Sequence, residues 1–342
     1  MQLNVQLCSD AALWDAFVHQ SPQARIYHLW AWRQIIEATY GHDMLYLAAS
    51  REETIQGILP LVGMKSRLFG RFLVSVPFVN YGGVLCSDPQ VRVRLLDEAV
   101  RLAREHRSQH IELRHGEPLD TQWQQVSAKV SMRVNLPGKE EELWNRLSSR
   151  LRNKIRHAQK HGLVCRWGGA EQLGDFYSVF ATNMRNLGTP VYPRQWFENV
   201  FGFLASSCRV LTVCQDRKPV AATILTTFRE GVELPWIAST PEARSHYSTP
   251  LLYWTALEWA IQNRYRMVDL GRCTPGSGTH RFKQQWLAQE VPLHWYYWLA
   301  PGVPVPQLRP DNPRFRLAIR LWQRLPLFVA NRLGPRIVRS IP

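Results

Sequence analysis

With 342 residues, 45% of them hydrophobic and 14 of them tryptophan, the chain is long enough to bury two cores and too apolar to be a disordered tract. Its formal charge of +15 calls for anionic company: nucleic acid, a nucleotide-linked substrate or an acidic membrane surface. No run reaches the ~18 continuous apolar residues of a membrane span, Asp10 and Asp15 stand where a signal peptide would be basic and then apolar, and six scattered cysteines form no metal-ligand pattern, so reduced thiols, no metal and a cytoplasmic location are expected.

The first part alternates helix and strand signals. A helix is expected over Trp30–Thr39, then a hairpin of Met44–Ala49 with Ile55–Val62, and a third strand over Leu73–Phe78. The stretch Val76–Gly83, with Phe78, Tyr81 and two glycines, reads as a pocket wall with Tyr81 toward substrate, or equally as a core strand and turn. Val91, Leu95, Leu96, Ala99, Leu102 and Ala103 fall on one helical face, and His110–Leu113 returns as a strand. A boundary is expected at Asn135–Lys139, dividing the chain into 1–136 and 137–300.

The second part repeats the plan. Helix Glu140–Leu147 leads to Ser149–Lys160, a basic helix with a narrow apolar stripe of Leu151, Ile155 and Ala158, suited to phosphates through Arg152 and its neighbours or simply solvated. Helices Leu173–Asn186 and Arg194–Leu204 flank a rigid polar loop that offers Arg185, Tyr192 and Arg194. Strands are expected at Cys208–Gln215, Pro219–Thr227 and Val232–Ser239, then a buried helix Leu251–Gln262 with Thr249 as N-cap and Pro250 at N1.

The segment Asp269–Trp286 carries most of the chemistry. A short apolar strand, Met267–Leu270, runs into a loop broken by Gly271, Pro275, Gly276 and Gly278, whose amides suit an anion at the start of a helix near Thr279. Phe282 and Lys283 then fall about one turn inside, an aromatic platform beside a cation, with Arg272 close by in sequence. Cys273 lacks a His and an acid assignable to it as activating partners. One strand, Val291–Leu299, completes this part.

The last 42 residues, 301–342, form a separate tail, with eight arginines against one acid, Asp311. Over Phe315–Leu325 a helix places Arg316, Arg320 and Arg324 on one side and Phe315, Ala318, Ile319, Trp322 and Leu325 on the other. Two readings of that apolar face stand: it lies on an anionic inner membrane as a peripheral contact, or it packs on the body.

Taken together, the motifs resemble the FemAB family of aminoacyl-tRNA-dependent peptidyltransferases, most closely its exosortase/PEP-CTERM-associated branch, with BioF2-like kin. The resemblance lies in Arg152, Asn153, Ile155, Ala158 and Gly162, in Met-Arg-x-Leu-Gly-Thr-Pro-Val-Tyr-Pro at Met184–Pro193, and in Asp-x-Gly-Arg-x-x-Pro-Gly-x-Gly followed by Arg-Phe-Lys over Asp269–Lys283. It implies an α/β fold of two tandem GNAT-like (acyl-CoA N-acyltransferase-like) domains with mixed sheets and a cleft between them, plus the basic helical tail.

It further implies that Lys283 neutralises a phosphate or tetrahedral oxyanion and Phe282 shapes the channel, with Asp269 assisting proton removal or holding the strand end. Arg185 is the candidate for precursor phosphates, and Arg152, Tyr192, Arg194, Arg272, Gly276, Gly278 and Tyr81 complete the substrate surface. No cofactor is expected. The donor is charged tRNA and the acceptor an amine of an anionic envelope, peptidoglycan-type or exopolysaccharide precursor. The long helical-hairpin arm of the Gram-positive members has no counterpart here. Two alternatives remain: an acyl-CoA donor, disfavoured because Ala243–Thr249 lacks the pyrophosphate-binding glycines, and a non-catalytic membrane-peripheral assembly protein.

Overall fold

The computed structural model describes residues 2–66, 70–241, 245–306 and 313–341, with side chains from 316 in the last segment. By contact the chain forms two units: Met1–Ala128 with Pro292–Leu308 and Arg339–Pro342, and Lys129–Val291 with Arg309–Val338.

The first unit holds β1 (Leu3–Leu7), α1 (Ala11–Gln20), α2 (Ala31–Tyr40), β2 (Asp43–Arg51), β3 (Thr54–Ser66), β4 (Gly70–Ser75), β5 (Leu85–Cys86), α3 (Pro89–Glu105), β6 (His110–His115) and β7 (Gln124–Val126). The second begins with β8 (Val130–Asn135), α4 (Glu140–Arg146), α5 (Ser149–Lys160), β9 (Val164–Gly168), α6 (Leu173–Leu187) and α7 (Arg194–Leu204). It continues with β10 (Cys208–Gln215), β11 (Lys218–Phe228), β12 (Gly231–Ser239), α8 (Ser248–Gln262), β13 (Met267–Cys273), α9 (Gly278–Gln284) and β14 (Gln289–Pro292). After β15 (His294–Leu299) come α10 (Pro313–Gln323) and α11 (Leu327–Val338).

Each unit is built on one mixed sheet. In the first the order is β1-β2-β3-β4-β6-β15-β7, with β5 on β3, and β4 and β6 run parallel. In the second it is β14-β8-β13-β12-β11-β10-β9, with β12 and β13 parallel. The fold is thus α/β with two mixed sheets, as expected. The helices form for the reasons visible in the sequence. Asp88 accepts the Gln90 N–H ahead of Pro89, so α3 starts there, and its six expected apolar residues are all buried. On α5 the stripe of Leu151, Ile155 and Ala158 is buried as expected, and its other residues stay at least partly exposed.

Several expectations are corrected. The boundaries expected at 136/137 and 300/301 do not coincide with the contact units, because β8 lies in the second sheet and β15 in the first. The single strand expected over Val291–Leu299 is two, β14 ending at Pro292, which has no N–H to give to a ladder, and β15 beginning after Leu293. The strand expected to reach Phe78 ends at Ser75, because Val76 and Phe78 take left-handed backbone angles of 45° and 73°. Helix α8 begins at Ser248 after a left-handed Tyr247, so Thr249 is inside it rather than its cap. Strands β1, β8 and β9 and helix α1 had not been anticipated.

The tail is not a separate body. Helices α10 and α11 belong to the second unit, where both pack on α6. A Cβ on Gly188 would lie 2.5 Å from Ile319 Cγ2, and one on Gly334 would lie 2.8 Å from the Val191 nitrogen. Ile319, Trp322 and Leu325 are half-buried, so this part of the apolar face packs on the body. The Phe315 side chain lies outside the described residues.

Candidate active site

Two parallel strands of the second sheet part company at one point. Strands β12 and β13 pair only from Gly231↔Met267 to Glu233↔Asp269. Beyond it β12 stays with β11 through Ser239, while β13 stays with β8 through Cys273 across a register shift between Asp269 and Arg272. The split leaves the edges Leu234–Ser239 and Leu270–Cys273 unpaired with each other. Gly271 sits at the shift with φ 79°, and a Cβ there would stand 3.3 Å from the Leu234 carbonyl oxygen and 3.8 Å from Lys283 Nζ.

Lys283 is the cation of this split. It is 4% exposed, and its Nζ donates to the carbonyls of Gly271 at 2.8 Å and Arg272 at 3.2 Å. These bonds use two of the three ammonium protons. Burial pushes its pKa below the ordinary lysine range, against the opposing pull of Cys273 and Asp269. Phe282, next to it on α9, packs edge-on against Tyr253 with centroids 5.1 Å apart and also meets Trp286. It is a half-buried wall of the core beside Lys283.

Asp269, 4% exposed, has both oxygens engaged. Oδ1 accepts from the Ser131 hydroxyl and from the Gly271 N–H at 2.8 Å, and Oδ2 faces Arg133 Nε at 3.4 Å. Both oxygens thus serve structural bonds within and beside β13, whereas a base needs a lone pair facing substrate. Ser131 and Arg133, which sequence reasoning missed, complete the arrangement. Their signal was the alternation Val130, Met132, Val134 against Ser131, Arg133, Asn135, the pattern of a half-buried strand.

Several polar groups of the glycine loop are engaged within the loop and α9. The Gly276 N–H is taken by His280 Nδ1 at 3.3 Å and the Ser277 N–H by the Thr274 carbonyl at 3.1 Å, while the Ser277 hydroxyl caps the His280 N–H at 3.1 Å. Arg281 Nη1 closes on the Gly276 carbonyl at 2.7 Å. His280 Nε2 then lies 2.8 Å from Glu290, which fixes α9 against the stretch that follows. Gly276 provides a left-handed turn at φ 75°, Gly278 opens α9, and the exposed Arg272 stands on the β13 edge. Burial pushes the Cys273 thiol up and Lys283 pulls it down, so the net rise disfavours a thiolate.

The other expected binding residues are dispersed. Arg185 Nη1 reaches the carbonyls of Gln323 and Leu325 at 3.4 and 3.5 Å, so its place is against the end of α10. Tyr192 stacks on Trp196 at 5.9 Å, and Arg194 pairs with Glu198 at 2.9 Å on the exposed face of α7. Tyr81, in the first unit, is 2% exposed and stacks on Tyr27 with Arg25 over its ring.

Arg152 lies on α5, whose basic face adjoins the start of α8. There Lys154 Nζ is 5.8 Å from the Tyr247 ring, and His157 stands 5.2 Å from Tyr247 and 3.8 Å from His161. Desolvation, then the neighbouring His161 and His246, push the His157 pKa down. Ala243 and Arg244 of the expected pyrophosphate position lie outside the described residues. Among the described residues no group of three or more His, Cys, Asp or Glu could hold a metal.

Residues 145–284, which include α5, the split sheet and Lys283, match the Acetyltransferase (GNAT) domain family. The chain is an acyltransferase with the GNAT fold, and its two units resemble tandem GNAT structures. A crystal structure of FemX superposes with a TM-score of 0.67 at 14% identity, over 87% of this chain and 98% of that one. A tandem GNAT protein from the clavulanic acid biosynthesis pathway gives 0.56 at 12% identity, over 89% and 100%. The C-terminal domain of a putative lysylphosphatidylglycerol synthetase from Agrobacterium fabrum gives 0.57 at 11% identity, over 85% and 91%. No curated protein sequence matches the chain.

Proposed function

We propose that the chain transfers an aminoacyl group from charged tRNA to an amine of an anionic envelope or exopolysaccharide precursor. The observation that carries the reading is Lys283, a buried cation held by two backbone carbonyls at the split between β12 and β13, with one ammonium proton left for an oxyanion. The deprotonated amine attacks the ester carbonyl, the C–N bond forms, and the tetrahedral oxyanion collapses. The C–O bond to the ribose then breaks, and the departing hydroxyl takes up the proton the amine loses. Little base catalysis is needed for an amine on an activated ester, consistent with the engagement of Asp269 in structural bonds.

The likeness over most of the chain to FemX, and the lysylphosphatidylglycerol synthetase domain among the similar folds, support an aminoacyl donor. With Arg185 turned to α10, the basic face of α5 is the better candidate for phosphate contacts. That same cluster at the start of α8 favours acyl-CoA as the second reading, since a helix N-terminus beside Lys154 and His157 suits a pyrophosphate. The GNAT match favours either enzyme reading over a non-catalytic assembly role. An exosortase-linked lipid or polysaccharide intermediate is the acceptor that the motif resemblance points to.

Mass spectrometry of reactions offering charged tRNA or acyl-CoA with candidate amines tests this. A mass gain that requires charged tRNA, and that Lys283→Met lowers by about 100-fold or more, is expected. Transfer only from acyl-CoA would overturn the donor, and unchanged turnover of Lys283→Met would overturn the role of the lysine.

A further inference from the structure

The face of the tail that packs on α6 is not the one left to solvent. Opposite Ile319 on α10, Leu317 is 66% and Leu321 56% exposed, and Phe328 at the start of α11 is 76% exposed. Arg320 and Arg324 flank these side chains, and Arg332 continues the row on the outer side of α11, all exposed. On α11 the buried residues Ala330, Gly334 and Val338 recur every four positions, which turns Phe328 and Arg332 away from the body. Large aliphatic and aromatic groups are seldom left this open in a row without a covering surface. The two helices carry no aspartate or glutamate, so the row is apolar at its centre and purely cationic at its rim.

We propose that this outer face, Leu317–Leu321–Phe328 with its arginines, docks on an anionic lipid bilayer. The apolar groups enter the headgroup boundary and the guanidinium groups meet lipid phosphates, as expected of a helix pair lying in the interface plane. No described helix is long and apolar enough to cross a membrane, so the contact is with one leaflet. Charge complementarity selects this occupant: a second copy of the chain would oppose arginines to arginines, and RNA would leave the leucines and the phenylalanine exposed. The proposal is independent of the transfer reaction, since neither donor nor acceptor takes part.

Flotation of the full chain with vesicles of neutral phosphatidylcholine, alone or with about 30 mol% phosphatidylglycerol, tests it. Binding only to the anionic vesicles is expected, weakening at least about 10-fold as salt rises from ~0.1 to ~0.5 M. The double substitution Leu321→Glu with Phe328→Glu should reduce binding by about 10-fold or more while the thermal midpoint and transfer to a soluble acceptor stay unchanged. Arg320→Glu with Arg324→Glu should do the same without touching an apolar residue. Equal binding to neutral vesicles, or none at either composition, would overturn the proposal. So would Glu variants that bind as well as the parent, dimers in sedimentation that Leu321→Glu dissolves, or a face that captures RNA and no vesicle.

Discussion

Lys283 stands 12 positions beyond Gly271, yet the two form one unit, because the lysine can hook the β13 carbonyls only where the strand bulges away from β12. Gly271 permits that bulge through a backbone angle of 79°, and any side chain there would press on the Leu234 carbonyl oxygen from 3.3 Å. Gly271→Ala should therefore lower stability by about 1–2 kcal/mol from backbone strain. It should lower turnover as well, because the strained backbone would move the Gly271 carbonyl that holds Lys283 Nζ. Urea unfolding and the transfer rate measure the two effects, and a variant equal to the parent in both would remove Gly271 from the site. Asp269 belongs to the same unit: bonded to Ser131 and to the Gly271 N–H, it holds the backbone whose next carbonyls receive the lysine.

At the scale of elements, two glycines set how closely the tail helices approach α6 and the loop after it: Gly188 faces Ile319 of α10, and Gly334 of α11 faces Val191. A Cβ on Gly334 would stand 2.8 and 3.0 Å from Val191 N and O, closer than a Cβ can be accommodated. The atoms opposite are backbone, which cannot rotate aside. Gly334→Val should lift α11 from α6 and raise the rate of proteolytic cleavage within 327–338 by about 10-fold, with global unfolding little changed. Unaltered cleavage would mean that α11 is held by something other than this close approach. Arg185 acts at the same junction: its bonds to the Gln323 and Leu325 carbonyls satisfy orphan acceptors at the end of α10.

For the whole molecule, acid is the expected weakness of the first unit. His28 is buried with a pKa pushed down to about 4 by desolvation, and His115 likewise to about 3. Their ring nitrogens meet backbone groups: the Arg25 N–H donates to His28 Nδ1 at 3.0 Å and His28 Nε2 meets the Gly83 carbonyl at 3.2 Å, while the Val84 N–H donates to His115 Nε2 at 3.2 Å. Below an unfolded pKa near 6.5 the unfolded chain binds protons that the native chain refuses. Stability therefore falls as pH drops through 6.5 and levels off below the folded values. Two such groups give a slope of up to about 2.7 kcal/mol per pH unit. Urea unfolding between pH 7 and about 4.5 checks the direction. His115→Gln, which keeps an acceptor for Val84, should roughly halve the slope contributed by this pair; an unchanged slope would place the acid sensitivity elsewhere.

Local pattern sufficed where one element buries one stripe: α3, the Leu151–Ile155–Ala158 face of α5 and the alternating order of strands and helices were legible because periodicity is a property of neighbouring residues. The motif around Asp269–Lys283 falls on the segment where β13 parts from β12. The split of β12 from β13, the seating of Lys283 on Gly271 and Arg272, and the capture of Arg185 by α10 were decided only by the tertiary structure. So were the passage from β14 in the second sheet to β15 in the first, and the choice of which face of α10 is covered. Each of these depends on atoms brought together from distant parts of the chain. The sequence by itself determined that an acyltransferase-like α/β chain carries a cation after its glycine loop. The fold decided that the Gly276 N–H goes to the His280 imidazole while the cation turns inward to the split sheet, because buried donors and acceptors must find partners wherever the packing places them.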